Sequence, residues 1–434
     1  MSIEEARKKI NEIDREMARL YELRMEAVEE VVKYKMANGL PVLDRAREEE
    51  VIARNSTYIA SPALLPYYVD FMESTMRTSR EYQRAILSEN GCGEGVMEIR
   101  TERFCYPVYF LPGGLSRIGE LFMLDRRVLL LTDDGVPKEY VSAVAACCRE
   151  AVIFTACAGE QSKSLSVYAQ VEELMLRHGF TRGDCLVAVG GGVVGDLGGF
   201  VASTYMRGID FYNVPTTSLS MVDSSVGGKT AINFDGTKNI LGTFYPPRGV
   251  LIDRETLRTL PQRQLLSGLA EAIKMAVAFD AELFSYLERC ELSPEALDTI
   301  LYRSVSIKAK VVEEDEREGG KRKLLNLGHT LGHAIEAKMQ GELTHGEAVA
   351  LGMLAFSSPK VKERLLSLYK KFGYPTKFPA SLDEILPLVL RDKKRAEGGM
   401  DAVVVEEVGS AKVVKIPLCE LTEYISKKFV EEDV

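Results

Sequence analysis

Glycine is confined to one part of this chain, and that confinement divides the fold. Of 35 glycines in 434 residues, only Gly39 falls within residues 1–90, leaving 34 (35 − 1) for residues 91–434. A block that avoids glycine is helix-forming, whereas the glycine-punctuated remainder has the turns of an α/β protein. Between the two, SENGCGEGVMEIR carries Gly91, Gly93 and Gly95 at alternate positions and reads as a linker over residues 91–99. The expected organisation is an all-α three-helix domain over 1–90, an α/β nucleotide-binding domain over 100–260 and an α-helical domain over 261–434.

Composition excludes several classes. Lys and Arg number 55 against 64 Asp and Glu, a net charge of −9 that argues against a generic nucleic-acid or anionic-membrane binder. No run approaches the roughly 20 apolar residues of a membrane span. The start, MSIEEARKKINEID, is polar and unlike a signal peptide. Eight scattered cysteines without a CxxC pair suit reduced thiols in the cytoplasm.

The first predicted helix runs from about Ser2 to Ala37 and stops at Asn38-Gly39. Its apolar residues Ile3, Ala6, Ile10, Ile13, Met17, Leu20, Ala27, Val31 and Tyr34 step by three and four. At 1.5 Å per residue it is roughly 50 Å long, too long for two shorter helices to cover, so a homodimer is expected. A second helix begins at Asp44, an N-cap candidate, and a third runs from about Pro62 to Leu87. Arg24 falls where the apolar stepping demands a hydrophobe, and Lys35 lies three turns later on nearly the same face. Asp44, Arg47 and Glu48 share a face of the second helix, as Ser79 and Gln83 do on the third. Because an unpaired cation in an apolar seam is costly, inward Arg and Lys with Gln and Glu suggest a pocket for a small dianion.

ARKKINEID, LRM, YK, LDRAREEE and SREYQ resemble the all-helical chorismate mutases over about 85 residues. The resemblance implies that Arg7, Arg24 and Arg47 grip the carboxylates of chorismate, with Asp44 and Ser79 in the same site. It implies that Lys35 and Gln83 hydrogen-bond the ether oxygen and Glu48 the ring hydroxyl, with Arg7 borrowed from a partner chain. A pericyclic rearrangement needs a folded substrate and a stabilised C–O cleavage, with no nucleophile or proton relay. Residues 1–90 accordingly contain neither His nor Cys.

Farther along, VLLL (128–131) and CLVAV (185–189) read as buried strands, the second ending in Gly190-Gly191-Gly192. A strand ending in glycines before a helix lets backbone approach a pyrophosphate, although GGGVVGD is not the standard dinucleotide fingerprint. Residues 201–247 read as a loop-rich stretch in which Arg207, Asp223, Lys229, Lys238 and Asn239 stand among glycines, suited to phosphate or carboxylate.

The chain has four histidines, and His329, His333 and His345 fall within 17 residues. His329 and His333 stand at i, i+4 in NLGHTLGHAIE, while Glu271 and Lys274 stand at i, i+3 in the apolar GLAEAIKMAVAF. A carboxylate with imidazoles suits Zn²⁺ or a similar ion, and spacing alone points to all three histidines as ligands. His178 reads as surface.

GEQSKSL, GGGVVGDLGGF, ASTYMRG, VPTTSLSMVDSSVGGKTAIN, GLAEAIKMA, KAKVVEEDEREGG, NLGHTLGHAIE and HGEAVALGM resemble the 3-dehydroquinate synthases across about residues 100–400. The resemblance implies a metal (Zn or Co) on Glu271, His329 and His345, with His333 facing substrate. It implies NAD contacts from Asp133, Glu160, Lys163, Gly191, Gly192, Asp196, Thr216, Thr217, Lys238, Asn239 and Thr259. Arg207, Asp223, Lys229, Lys238, Asn239, Lys274, Lys308, Arg322, Asn326 and a lysine of the Asp392-Lys393-Lys394 stretch, taken as Lys394, would handle substrate, with Glu318 a further polar candidate. The implied reaction turns 3-deoxy-arabino-heptulosonate 7-phosphate into 3-dehydroquinate and phosphate by transient oxidation and re-reduction of a ring hydroxyl. The competing reading is a related sugar-phosphate cyclase with a non-catalytic, regulatory or dimerising helical module at its N-terminus. The segment after HGEAVALGMLAF is a turn or two of helix shorter than usual for the family.

Overall fold

The computed structural model describes residues 2–38, 45–89, 95–316, 319–339, 341–379, 381–393, 400–417, 420 and 422–426. The chain divides into two compact units, Met1–Val96 and Met97–Val434.

The first unit holds helices α1 (Ile3–Asn38), α2 (Arg45–Ser56) and α3 (Leu65–Glu89), the last entered through a tight turn at Pro62–Leu64. At 36 residues, α1 is roughly 54 Å long, three times the length of the 12-residue α2. The buried apolar positions on α1 are Val28 and Val32, packed against Met25, Tyr82 and Ile86. This corrects the seam read from the sequence. Ile3 (67%), Ile10 (54%), Ile13 (50%) and Leu20 (54%) are exposed, because α3 covers only part of so long a helix.

The second unit begins with a seven-stranded sheet. Its strands are β1 (Gly95–Arg100), β2 (Cys105–Phe110), β3 (Arg127–Asp133), β4 (Glu150–Ala156), β5 (Cys185–Gly190), β6 (Asp210–Pro215) and β9 (Gly249–Ile252). The order is β1-β2-β9-β6-β5-β3-β4, and every pairing from β2 to β4 is parallel. Helices α4 (Ile118–Leu121), α5 (Lys138–Ala145), α6 (Leu165–Arg177) and α7 (Gly192–Thr204) lie in the crossovers. Side chains alternate faces along a strand, so Leu129 and Leu131 join one apolar cluster while Val128 and Leu130 join another. Burial on both faces explains why β3 and β5 read as continuous apolar runs. From β3 the chain moves outward to β4 and then returns to β5 on the other side of β3. That reversal opens a crevice at the carboxyl ends of β3 and β5, the usual ligand position in such sheets.

Residues 201–247 are more regular than their composition suggested. They contain β6, a turn of wide helix at Ser220–Ser224, and an antiparallel hairpin of β7 (Lys229–Phe234) and β8 (Thr237–Phe244). Every residue of β8 is exposed, so no alternation of burial marks it in the sequence.

Helices α8 (Gln262–Phe279), α9 (Ala281–Arg289), α10 (Pro294–Glu314), α11 (His329–Met339), α12 (His345–Ala355), α13 (Pro359–Phe372) and α14 (Leu382–Lys393) follow. A final hairpin joins β10 (Met400–Glu407) and β11 (Ser410–Ile416). Helix α8 is central, with every residue from Ser267 to Ala278 buried, charged Glu271 and Lys274 included. Helices α11 and α12 approach closely through glycine. A methyl group at Gly352 would overlap the carbonyl oxygen of Gly328, which itself adopts φ +77° just before α11. Gly352→Ala is therefore expected to cost about 2 kcal/mol or more through overpacking. The check is thermal unfolding, in which a drop of several degrees is expected.

Candidate active site

Glu271 and Lys274 project from the same side of α8, one turn apart, and are 1% and 2% exposed as an ion pair through Glu271 Oε2. The other oxygen, Oε1, faces two imidazoles. His329 Nε2, at the start of α11, lies 3.6 Å away, and His345 Nε2, at the start of α12, lies 3.5 Å away. Neither Glu271 oxygen receives a well-directed hydrogen bond although both are buried. Ligand atoms of Glu271, His329 and His345 lie within 4.8 Å of one another. The imidazole orientations suit coordination. His329 Nδ1 lies 3.2 Å from the Leu327 carbonyl and His345 Nδ1 2.9 Å from Glu336 Oε2, leaving each Nε2 toward Glu271. A buried carboxylate whose Oε1 faces two imidazole nitrogens without a hydrogen bond fits a divalent ion bound by three protein ligands with a position to spare.

Electrostatics follow from the burial. Burial alone would raise Glu271, but Lys274 and the two imidazoles hold it well below the usual carboxylate range. Burial and the Lys274 charge push His329 down to about 3, keeping it neutral. His345 moves oppositely: burial would lower it, but the facing carboxylates of Glu271 and Glu336 outweigh burial and raise it to about 9.

His333 lies beside that triad, its ring as near to that of His329 as the ring of His345 is (5.3 Å), but it is not among the side chains whose ligand atoms converge. Its ring centre lies 5.3 Å from that of His329 and 5.8 Å from that of His345, and the residue is exposed. Spacing alone had grouped all three histidines, since i and i+4 share a helix face; the buried glutamate singles out two of them.

Beside the triad a cavity of about 460 Å³ is lined by Asp196, Asp223, Lys229, Asn239, Lys274, Lys308, Arg322, Asn326 and His329, with Ser224 and Thr230. Lys308 Nζ lies 2.7 Å from Asp223 Oδ1. Burial would raise Asp223, but Lys308 and Lys274 overcome it and hold the carboxyl at about 2. Burial lowers Lys308, only partly offset by Asp223. Arg322, 2% exposed, donates to the carbonyls of Glu316 (2.6 Å) and Gly227 (3.4 Å). Four cationic side chains around one cavity suit an anionic, oxygen-rich ligand.

The residues expected at the cofactor lie at the crevice end of the sheet. Asp133 ends β3, its Oδ1 accepting from Gly135 N at 2.9 Å. Gly191 caps α7 and Gly192 begins it, and Thr216 N bonds the Gly190 carbonyl at 2.9 Å. Lys163, 4% exposed, bridges Asp196 Oδ2 (2.6 Å) and Asn239 Oδ1, while Glu160 accepts from Asn233 at 2.9 Å. Thr217 bonds Ser220 (2.9 Å), and Thr259 bonds Tyr140 (2.9 Å). Lys238 is exposed and reaches Glu336 Oε1 at 3.3 Å. Arg207 is exposed at φ +70° and is not among the cavity-lining residues.

In the first unit, Arg24 donates to buried Ser79, and Lys35 Nζ lies 3.3 Å from Oε1 of buried Gln83. Arg7 is exposed, as is Arg47, which pairs with Glu50 at 2.7 Å; Glu48 is half-buried. Asp44, Glu318 and Lys394 lie outside the described residues. Sequence reasoning missed Glu336, Ser224 and Asn233. Glu336 alone carried a signal, standing seven residues after His329 on the same helix face.

The 3-dehydroquinate synthase N-terminal family matches residues 153–267, the 3-dehydroquinate synthase C-terminal family residues 268–395, and the chorismate mutase type II family residues 6–84. A 3-dehydroquinate synthase of Streptococcus thermophilus is 40% identical over 353 residues, covering 76% of this chain and 99% of that protein. A crystal structure of 2-deoxy-scyllo-inosose synthase with carbaglucose-6-phosphate, NAD⁺ and Co²⁺ is 27% identical. It covers 76% of this chain and 99% of its own, with a TM-score of 0.69. A 2-epi-5-epi-valiolone synthase from Streptomyces hygroscopicus subsp. jinggangensis with NAD⁺ and Zn²⁺ is 28% identical. It covers 76% and 98%, with a TM-score of 0.69.

Proposed function

We propose, from the premise that this chain belongs to the 3-dehydroquinate synthase family and carries a chorismate mutase type II domain ahead of it, a specific pair of reactions. The second unit converts 3-deoxy-arabino-heptulosonate 7-phosphate to 3-dehydroquinate and phosphate, and the first rearranges chorismate to prephenate. The observation that carries the first of these is buried Glu271, its Oε1 turned to His329 and His345, opening on a cavity lined by cations. Relatives at 40% identity are 3-dehydroquinate synthases, whereas the inosose and valiolone synthases stand at 27–28%, which favours the dehydroquinate product.

In this reading Glu271, His329 and His345 hold Zn²⁺ or Co²⁺, and NAD lies along the crevice of β3 and β5. Asp133, Glu160, Lys163, Asp196, Thr216, Thr217, Lys238, Asn239 and Thr259 contact the cofactor, with Gly191 and Gly192 presenting the α7 N-terminus to its pyrophosphate. When bound, the nicotinamide supplies reversible oxidation of a ring hydroxyl and the metal supplies Lewis acidity toward neighbouring oxygens. The chain's own groups do the rest. Lys229, Lys274, Lys308, Arg322, Asn326 and Arg207 bind and orient phosphate, carboxylate and hydroxyls. The Asp223–Lys308 pair keeps an ammonium fixed in the cavity, and His333, exposed beside the ligands, is placed to pass a proton to solvent.

In the first unit, Arg24 with Ser79 and Lys35 with Gln83 form the inward polar face that grips the dianion, helped by Arg47 and Glu48. The exposed Ile3, Ile10, Ile13 and Leu20 of α1 support a homodimer through this helix, with Arg7 serving the partner's site. We assign the domains to 1–90, 100–260 and 261–434 and place the enzyme in the cytoplasm. Among the described residues no helix is long and apolar enough to cross a membrane.

The test is product accounting. With heptulosonate phosphate and NAD⁺, the protein is expected to release phosphate while reduced nicotinamide stays far below stoichiometric. Reduced nicotinamide accumulating mole for mole with substrate consumed would make it a polyol dehydrogenase instead.

A further inference from the structure

Glu336 belongs to none of the sets assigned above, yet it holds one of them in place. It lies on α11 seven residues after His329, almost two full turns, so both side chains leave the same face of the helix. Its Oε2 accepts from His345 Nδ1 at 2.9 Å, and its Oε1 faces Lys238 Nζ at 3.3 Å.

The surroundings of His345 show why that contact matters. Thr344 caps α12 in a capping box with Glu347, and Arg263 clamps Glu347 at 3.0 and 2.7 Å. Gly346 N is held by Ser267 Oγ at 3.0 Å. The backbone at His345 is therefore fixed from three sides, and the remaining freedom is rotation of the imidazole. One ring nitrogen must face Glu271, and without a partner for the other the ring can turn away. The link from Glu336 to Lys238 is much weaker, since Lys238 is 67% exposed and such pairs contribute little.

We propose that Glu336 is the positioning residue of the metal centre, locking His345 with Nδ1 on its own carboxylate and Nε2 toward Glu271. The proposal rests on the reading of Glu271, His329 and His345 as metal ligands. A residue that orients a ligand in this way changes metal affinity by roughly 10–100-fold when removed.

The experiment uses full-length protein stripped with a chelator and titrated with Co²⁺, read by its ligand-field absorption and by competition with a chromophoric chelator. Glu336→Ala is expected to weaken Co²⁺ binding roughly 10–100-fold and alter the absorption envelope. Glu336→Gln, whose amide oxygen can still accept from Nδ1–H, is expected to fall between it and the wild type. A double-mutant cycle separates positioning from general damage: in a His345→Ala background, Glu336→Ala is expected to change Co²⁺ affinity less than twofold. Wild-type affinity and spectrum in Glu336→Ala would overturn the proposal, as would an equal loss in both backgrounds. Failure of the wild-type protein to bind Co²⁺ would instead remove the metal-centre reading on which the proposal stands.

Discussion

Glu271→Gln is expected to weaken metal binding by more than the roughly 10–100-fold that losing a ligand-orienting residue costs, and to lose phosphate release with it. The substitution removes the one charged ligand from a site in which both histidines face the same oxygen, Oε1. It also leaves the Lys274 ammonium buried without its counter-charge, and breaking a buried pair from one side costs about 3–5 kcal/mol. That cost falls on folding stability and is distinct from the loss of metal and turnover. The two consequences can be separated. Glu271→Gln combined with Lys274→Met removes the orphaned charge, so thermal stability is expected to recover substantially while metal binding and turnover stay lost. Metal content by elemental analysis, the unfolding midpoint and phosphate release decide the outcome. A Glu271→Gln protein that keeps both metal and turnover would show that the ion is held elsewhere.

Lys35→Ala is expected to reduce chorismate rearrangement about 10²–10³-fold in kcat, with phosphate release by the second unit unchanged. A preorganised donor aimed at developing charge is worth about 2.7–4 kcal/mol, and Lys35, in contact with Gln83, is the donor assigned to the breaking C–O bond in this reading. Lys35 is only half-buried, so truncation opens no cavity, and helical circular dichroism is expected to stay at the wild-type level. Retained rearrangement in Lys35→Ala would place the catalytic donor elsewhere, whereas no rearrangement by the wild-type protein would support the inert-module reading of residues 1–90.

Much of this arrangement is legible from residue order, for reasons that differ by region. Strands β3 and β5 are buried on both faces, which compels continuous apolar runs that announce themselves. Arg24 interrupts an apolar pattern, Lys35 follows three turns later on nearly the same face, and Ser79 and Gln83 share a face of the third helix, so residue order alone marks both pairs. The α1 seam misled because three-four stepping reports which face is apolar, not what covers it. Val28 and Val32 are buried by α3, while Ile10 and Ile13 lie uncovered. Within the β7–β8 hairpin, β8 carries no strand signal because all of its residues are exposed, so no burial alternation marks it. The histidine cluster shows another limit. Helical spacing puts His329 and His333 on one face, but only the packing of α8 against α11 and α12 selects His345 as the second neighbour of Glu271. Glu336 was overlooked because a helical glutamate is ordinarily solvated, and nothing local says that an imidazole from another helix ends upon it.

The central claim is that the Glu271–His329–His345 cluster and the cationic cavity beside it make a metal-dependent cyclase. Phosphate release from 3-deoxy-arabino-heptulosonate 7-phosphate, measured with and without chelator, tests it most directly. The expected result is phosphate and 3-dehydroquinate in equal amounts, abolished by chelation and restored by Zn²⁺ or Co²⁺. Release that proceeds undiminished in the stripped protein, or no release with metal and NAD⁺ supplied, would contradict it.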